Sequence, residues 1–254
     1  MKIRRILLSK DTLLKMEPAD RTFLLLAGHI QNELNSVHKV FAWCLHNHST
    51  VRASSIEGLA NGMQAMIYAR VLAGKLCEAW QVLGAAFFGT KLSQRIESKL
   101  PPIAQEALQK IKKYFRKSNA ISTVRNSFAF HYSADEFGRN WEAVADGPSF
   151  ELILGGTIGN NLHLASELVA NTALLNAINA NDYEEALRMF FNEVQSVASN
   201  FTNFLEGIVV AILEEQFGAG LDALGYEEEI SPAHSHSEVA IPFFCKPDTL
   251  HEGA

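Results

Sequence analysis

Two stretches of this chain carry apolar residues at alternating steps of three and four over about six helical turns. From Asp20 onward the first series is Phe23, Ala27, Ile30, Leu34, Val37, Phe41 and Cys44. The second is Leu187, Phe190, Val194, Val197, Phe201, Phe204, Ile208 and Ala211. A period near 3.6 places each series along one stripe of an α-helix. A stripe this long needs another long helix beside it, from the same chain or from a second copy. The chain is therefore expected to be mainly α, a helical bundle, with Asp20 as the cap of the first long helix.

The remaining segments extend this plan. Ser55 reads as the cap of a helix running through Met63, Leu76 and Leu83 to Phe87. Gly62, Gly74 and Gly84 within it each weaken a helix by roughly 1 kcal/mol relative to alanine, so they mark close helix contacts or a kink. Pro101-Pro102 opens a third helix with Ala107, Leu108 and Ile111 inward. Ser118-Asn119 re-caps the chain for a fourth, whose apolar side is Ile121, Val124, Phe128 and Tyr132. Residues 133–136 form a capping box for the next helix. From Phe150 an alternating pattern, a glycine-rich run and Leu162 predict a small β-hairpin around 150–165. Ser166 reads as the cap of the helix after it. Residues 182–185 are a capping box for the second long seam, which Gly218 ends. This gives one helical domain over 1–217 and a mostly irregular C-terminal tail over 218–254, with 239–244 docking as an extended segment.

Composition narrows the function classes. With 48% hydrophobic residues and a net charge of only −6, the chain is not of the disordered class. Its three cysteines, Cys44, Cys77 and Cys245, are far apart and make neither a disulfide framework nor a zinc ribbon. The uninterrupted apolar runs are too short for a membrane span, and no secretory signal is read at the basic start. A cytoplasmic protein is expected.

Charge is distributed unevenly. Residues 91–125 hold nine bases and two acids, a net +7 inside an acidic chain. Such asymmetry points to an anionic partner or to a solvated helix face. Lys110, Lys113 and Lys117 fall at helical spacing on one face of the third helix. Directly after them comes Arg125-Asn126-Ser-Phe-Ala-Phe-His131-Tyr132. Arginine offers a permanently charged fork suited to phosphate oxygens. Histidine transfers protons near neutral pH, and asparagine offers a neutral donor and acceptor. These groups suffice for metal-free RNA cleavage, in which the 2′-hydroxyl attacks the adjoining phosphate.

The Arg125-Asn126-x(4)-His131 pattern, in its helical and cationic setting, resembles the R-x(4–6)-H signature of the HEPN superfamily. That resemblance implies a helical bundle, often dimeric, and a metal-independent endoribonuclease of toxin–antitoxin or anti-phage type. It implies that Arg125, Asn126 and His131 are catalytic and that no cofactor or metal takes part. Lys110, Lys113, Lys117 and Tyr132 would contact RNA. The partners implied are RNA, a second copy of the chain, and an antitoxin or other protein. Tyr132 directly follows the histidine, whereas the nucleotide-modified tyrosine of one toxin branch comes a residue later, where this chain has Ser133.

On a regular helix six positions separate Arg125 from His131 by about 120°. Either the helix is irregular near Arg125, or the two groups converge with their copies across a two-fold axis. Each residue also has a structural reading. His131 fits the edge of the core, Arg125 an ion pair to an acid of a neighbouring helix, and Asn126 a cap. On that reading the chain is a non-catalytic interaction, nucleotide-binding or RNA-binding bundle, or the accessory subunit of an active partner. His234 and His236 in the tail read as solvated rather than metal-bound.

Overall fold

The computed structural model describes residues 1–126, 134–144, 150–157, 159–179, 182–231 and 234–246. The architecture is mainly α, a bundle of long helices with a few short strands. After a first strand β1 (Lys2–Arg5), a short helix α1 (Lys10–Leu14) is capped by the Ser9 hydroxyl, which accepts from the Thr12 amide. α2 (Pro18–Thr50) then begins with proline in its first turn, where the missing N–H costs nothing. The expected cap, Asp20, lies one turn inside, where its carboxylate pairs with Arg95.

α3 (Ile56–Ala86) starts, as expected, at a Ser55 cap that accepts from the Gly58 amide. Lys75 of α3 reaches Glu33 of α2 at 2.7 Å, and His48 of α2 reaches the Gly58 carbonyl at 2.9 Å. Those two pairings run in opposite senses along the chain, so α2 and α3 form an antiparallel hairpin. Gly62 lies against the His48 ring, where a Cβ would come within 3.3 Å, a close contact of the kind expected. Gly84 has open space instead.

α4 (Lys91–Ile96) and α5 (Pro102–Phe115) lead to α6 (Ala120–Val124), capped by the Asn119 side chain. α7 (Ala134–Glu142) follows the segment 127–133, which lies outside the described residues and contains Phe128. A hairpin forms where expected, but with only two residues in each strand: β2 (Leu152–Ile153) pairs antiparallel with β3 (Leu162–His163). α8 begins at Leu164 rather than after Ser166 and runs to Ile178. Backbone continuity with β3 sets that start, and Ser166 falls in the first turn. α9 (Tyr183–Phe217) starts at the Asp182 cap and stops at Gly218 in the left-handed conformation, both as the sequence predicts.

Among its described residues the tail is mostly irregular, as expected, but it contains one strand that the sequence did not predict. β4 (Tyr226–Glu229) pairs antiparallel with β1 along its whole length. The sequence hides this strand because its Glu227-Glu228-Glu229 run has no apolar alternation. Its pairing partner is the basic N-terminus: Arg5 meets Glu228 at 3.0 Å, and Lys2 and Arg4 lie near Glu227. Gly225, at φ 73°, makes the turn possible, since a Cβ there would fall 1.9 Å from the Arg5 carbonyl oxygen.

α9 packs against α2, α3, α5 and α8, so both apolar seams named above are covered within one chain. Phe41, Phe87, Phe190, Phe201 and Phe204 are fully buried in this core. α9 is long and apolar enough to cross a membrane by length and composition, but just over half of its most apolar window, 56%, is buried inside the bundle. Its apolarity is thus accounted for by packing.

α5 and α9 approach each other closely. A Cβ on Gly207 would sit 2.3 Å from the Ala104 methyl. Gly207→Ala is expected to destabilise by about 1–3 kcal/mol through overpacking, despite its better helix propensity. Gly84→Ala, with space available, is expected to stabilise by about 0.5–1 kcal/mol. Urea unfolding of the two variants checks both signs.

Candidate nucleic-acid interface

The basic segment divides into two parts with different roles. In its first part the cations fasten helices together. Arg95 donates to Glu215 at 2.7 Å and pairs with Asp20, joining α4 to α9 and α2. Lys99 reaches the other oxygen of Glu215 at 2.5 Å. Burial alone would push Glu215 up, but hydrogen bonds from Lys99 and Arg95 outweigh it and hold the carboxylate below its usual range. Lys112 pairs with Glu97 at 3.2 Å and lies over the Phe88 ring.

The second part remains open. Lys113, Arg116 and Lys117, at the end of α5, are exposed and form no ion pair among the described residues. Lys110 is exposed and pairs with Glu106 one turn earlier at 2.8 Å. Of the three lysines expected to face RNA, two are therefore uncommitted and the third is held by a solvated neighbour.

One side chain links α5 to both α6 and α9. The half-buried Tyr114 hydroxyl donates to Glu193 of α9 at 3.1 Å and accepts from the Ile121 amide at 3.4 Å. Burial, with the Glu193 carboxylate beside it, pushes the Tyr114 phenol far above its ordinary value, so it stays a donor. Ile121 and Val124 are buried and anchor α6 in the core.

At the end of α6 the backbone widens into a π-type turn at Arg125 and Asn126. This is the irregularity near Arg125 that the helical phase left open, and such turns recur at functional sites. The Arg125 guanidinium is about one-third exposed. Its Nε donates to Glu78 Oε1 at 2.9 Å, and its Nη2 lies 2.7 Å from the same oxygen. Its Nη1 donates to the Asn126 side-chain oxygen at 3.2 Å. A guanidinium has five N–H donors, so two are without an acceptor among the described residues. Glu78, on α3, is the residue that the sequence could not single out, because only the packing of α6 on α3 brings it there. His131 and Tyr132 lie outside the described residues.

No family model, curated protein or solved structure matches this chain. The site therefore rests on its own residues. Among the described residues no group of three or more His, Cys, Asp or Glu side chains is placed to hold a metal ion. His234 lies 3.9 Å from Glu238 on the surface, while Cys44 and Cys77 are buried.

One histidine has a clear folding consequence. Burial in the bundle pushes the His38 imidazole below its usual pKa. The folded chain then binds fewer protons than the unfolded one just below the unfolded value of about 6.5. Stability is therefore complete above about 6.5 and is lost as the pH falls toward the lowered folded value. The melting temperature should drop on acidification across this window, and His38→Asn should flatten part of the drop. Calorimetry at a series of pH values decides it: an unchanged slope in the variant would clear His38 of this role.

Proposed function

We propose that this chain is a metal-independent endoribonuclease of HEPN type, acting as a cytoplasmic toxin or anti-phage effector. The observation that carries this reading is the pairing of Arg125 with Asn126 at the π-type turn, eight residues beyond the uncommitted cations of α5. Glu78 fixes the guanidinium from one side, and two of its donors, without an acceptor among the described residues, would serve a phosphate. In this reading Arg125 steadies the negative charge that builds on the phosphate as the 2′-hydroxyl attacks. His131 takes the hydroxyl proton or returns one to the leaving oxygen, and Asn126 orients the reacting groups. Lys110, Lys113, Lys117 and Tyr132 hold the strand without reading its sequence. A second copy of the chain supplies the facing half of the groove.

Incubating purified protein with RNA in the presence of a chelator tests this. Cleavage is expected from the parent, and not from folded Arg125→Ala or His131→Ala variants. Variants that cut as fast as the parent rule the mechanism out.

The Glu78–Arg125 pair also favours a second reading, since it satisfies Arg125 as a purely structural ion pair would. The bundle then binds a protein, nucleotide or RNA without cutting it. Cleavage separates the nuclease from an RNA binder that does not cut, and the salt dependence of RNA binding separates both from a bundle that makes no phosphate contact, because phosphate contacts give a steep slope and their absence gives one near zero.

A further inference from the structure

The C-terminal segment 240–246 is seated on the bundle without joining its core. None of its residues is buried, and it forms neither helix nor strand. Phe243 lies in a groove with a cavity on each side of it. One, of about 250 Å³, is at the α2–α3 junction beside Asn47, Glu57 and Asn61. The other, of about 330 Å³, is at the start of α8 beside Tyr68, Leu162 and Glu167. The aromatic ring is therefore flanked by open space, unlike the sealed phenylalanines of the core.

The polar hold on the segment comes from Asn160. The Cys245 amide donates to Asn160 Oδ1 at 2.9 Å, and Asn160 Nδ2 donates to the Cys245 carbonyl oxygen at 2.6 Å. A carboxamide that engages both backbone groups of one residue is indifferent to the side chain of that residue, so selectivity falls to the aromatic seat. The hairpin loop is shaped around Asn160. Its Nδ2 also donates to Thr157 Oγ1 at 2.6 Å, and the Gly155 amide donates to Asn161 Oδ1 at 3.0 Å. A Cβ on Gly155 would fall 2.6 Å from the Asn160 Cβ, so glycine leaves room for it. The carboxamide is thus held by its own loop, apart from the segment it binds. Charge disfavours a polyanion here. Glu57 and Glu167 border the two cavities, and the nearby Arg70 is already engaged by Glu167 and Asn171.

We propose that this groove is a docking site for a short aromatic peptide of a partner protein, and that segment 240–246 is a self-peptide that fills it until displaced. The occupant's chemistry is read from the segment now seated there. Asn160 takes the partner's backbone as it takes that of Cys245, and an aromatic side chain enters between the cavities as Phe243 does. Displacement is local, because the segment buries no residue of its own. It also leaves the tail attached, because β4 stays paired with β1. The inference uses none of the residues of the endonuclease reading and stands apart from it.

Hydrogen exchange at the Cys245 amide of the full chain tests the proposal. In the parent that amide is expected to be protected relative to a free peptide, yet to exchange faster than the buried amides of α9, which open with the whole bundle. Asn160→Ala should remove the protection and leave the melting temperature unchanged. The probe is a synthetic, end-blocked peptide of residues 238–246 carrying Cys245→Ser. At millimolar concentration it is expected to speed Cys245 exchange at least about twofold, since a tethered segment competes at an effective concentration of about the same order. The same peptide with Phe243→Ala should have no effect. Cys245 protection equal to that of α9, protection that survives Asn160→Ala, or exchange unmoved by the aromatic peptide overturns the proposal. Exchange that changes with chain concentration, without added peptide, assigns the groove to the tail of a second copy and overturns it as well.

Discussion

On the endonuclease reading, replacing Arg125 by alanine is expected to lower metal-independent RNA cleavage by about 10²–10³-fold, the usual effect of deleting a charge-stabilising donor from a transition state. The same change should move thermal stability little. The Arg125–Glu78 pair is part-exposed, with side chains 32% and 46% accessible, and ion pairs in such positions contribute about 0–1 kcal/mol. These two outcomes together separate catalysis from architecture. An arginine that serves only to tie α6 to α3 would lose a little stability and leave RNA turnover untouched. Glu78→Gln adds a second test. It keeps the acceptor oxygen but removes the charge, so on the endonuclease reading cleavage falls less than in Arg125→Ala. Rates in chelator, compared with melting curves of the same preparations, check all of these outcomes.

The largest expected effect on folding belongs to Phe87→Ala. Phe87 closes the C-terminal end of α3 and is wholly buried. Its ring stacks on Phe23 of α2 at 5.0 Å and meets Phe204 of α9 edge-on at 5.8 Å. One side chain therefore joins three long helices. Truncating a buried phenylalanine costs about 3–5 kcal/mol, because the lost burial is compounded by a cavity that rigid helices do not collapse to fill. That is a large part of the total of about 5–15 kcal/mol typical of a folded protein. Denaturant unfolding should show a lower midpoint with an unchanged slope. A loss below about 1 kcal/mol would mean that the α2–α3–α9 junction repacks freely.

Much of the helical framework was legible from local chemistry. Ser55, Asn119 and Asp182 cap helices where a short polar side chain precedes an apolar period, and Gly218 ends α9 because it alone takes the left-handed turn cheaply. Other features were hidden. β4 is Tyr226 followed by three exposed glutamates, and only its pairing with β1 makes it a strand. The start of α8 was misplaced by three residues because Ser166 is a good cap by composition, while the helix already has His163 as its cap residue and begins at Leu164.

The motif shows the same division. Arg125 and Asn126 were found from their types and spacing, and so was the choice between an irregular helix and a two-fold axis. The π-type turn and the Glu78 partner came only from the packed helices, since α3 and α6 are far apart in the chain.

Sequence by itself determined where helices begin and end and which stripes must be buried, because capping and a 3.6-residue period act within a few turns. Tertiary structure decided which cations are spent holding helices together and which stay exposed. It also decided that a tail segment walls a cleft and that α9 is covered by its own chain. Those outcomes depend on which distant side chains meet, and no local pattern encodes that.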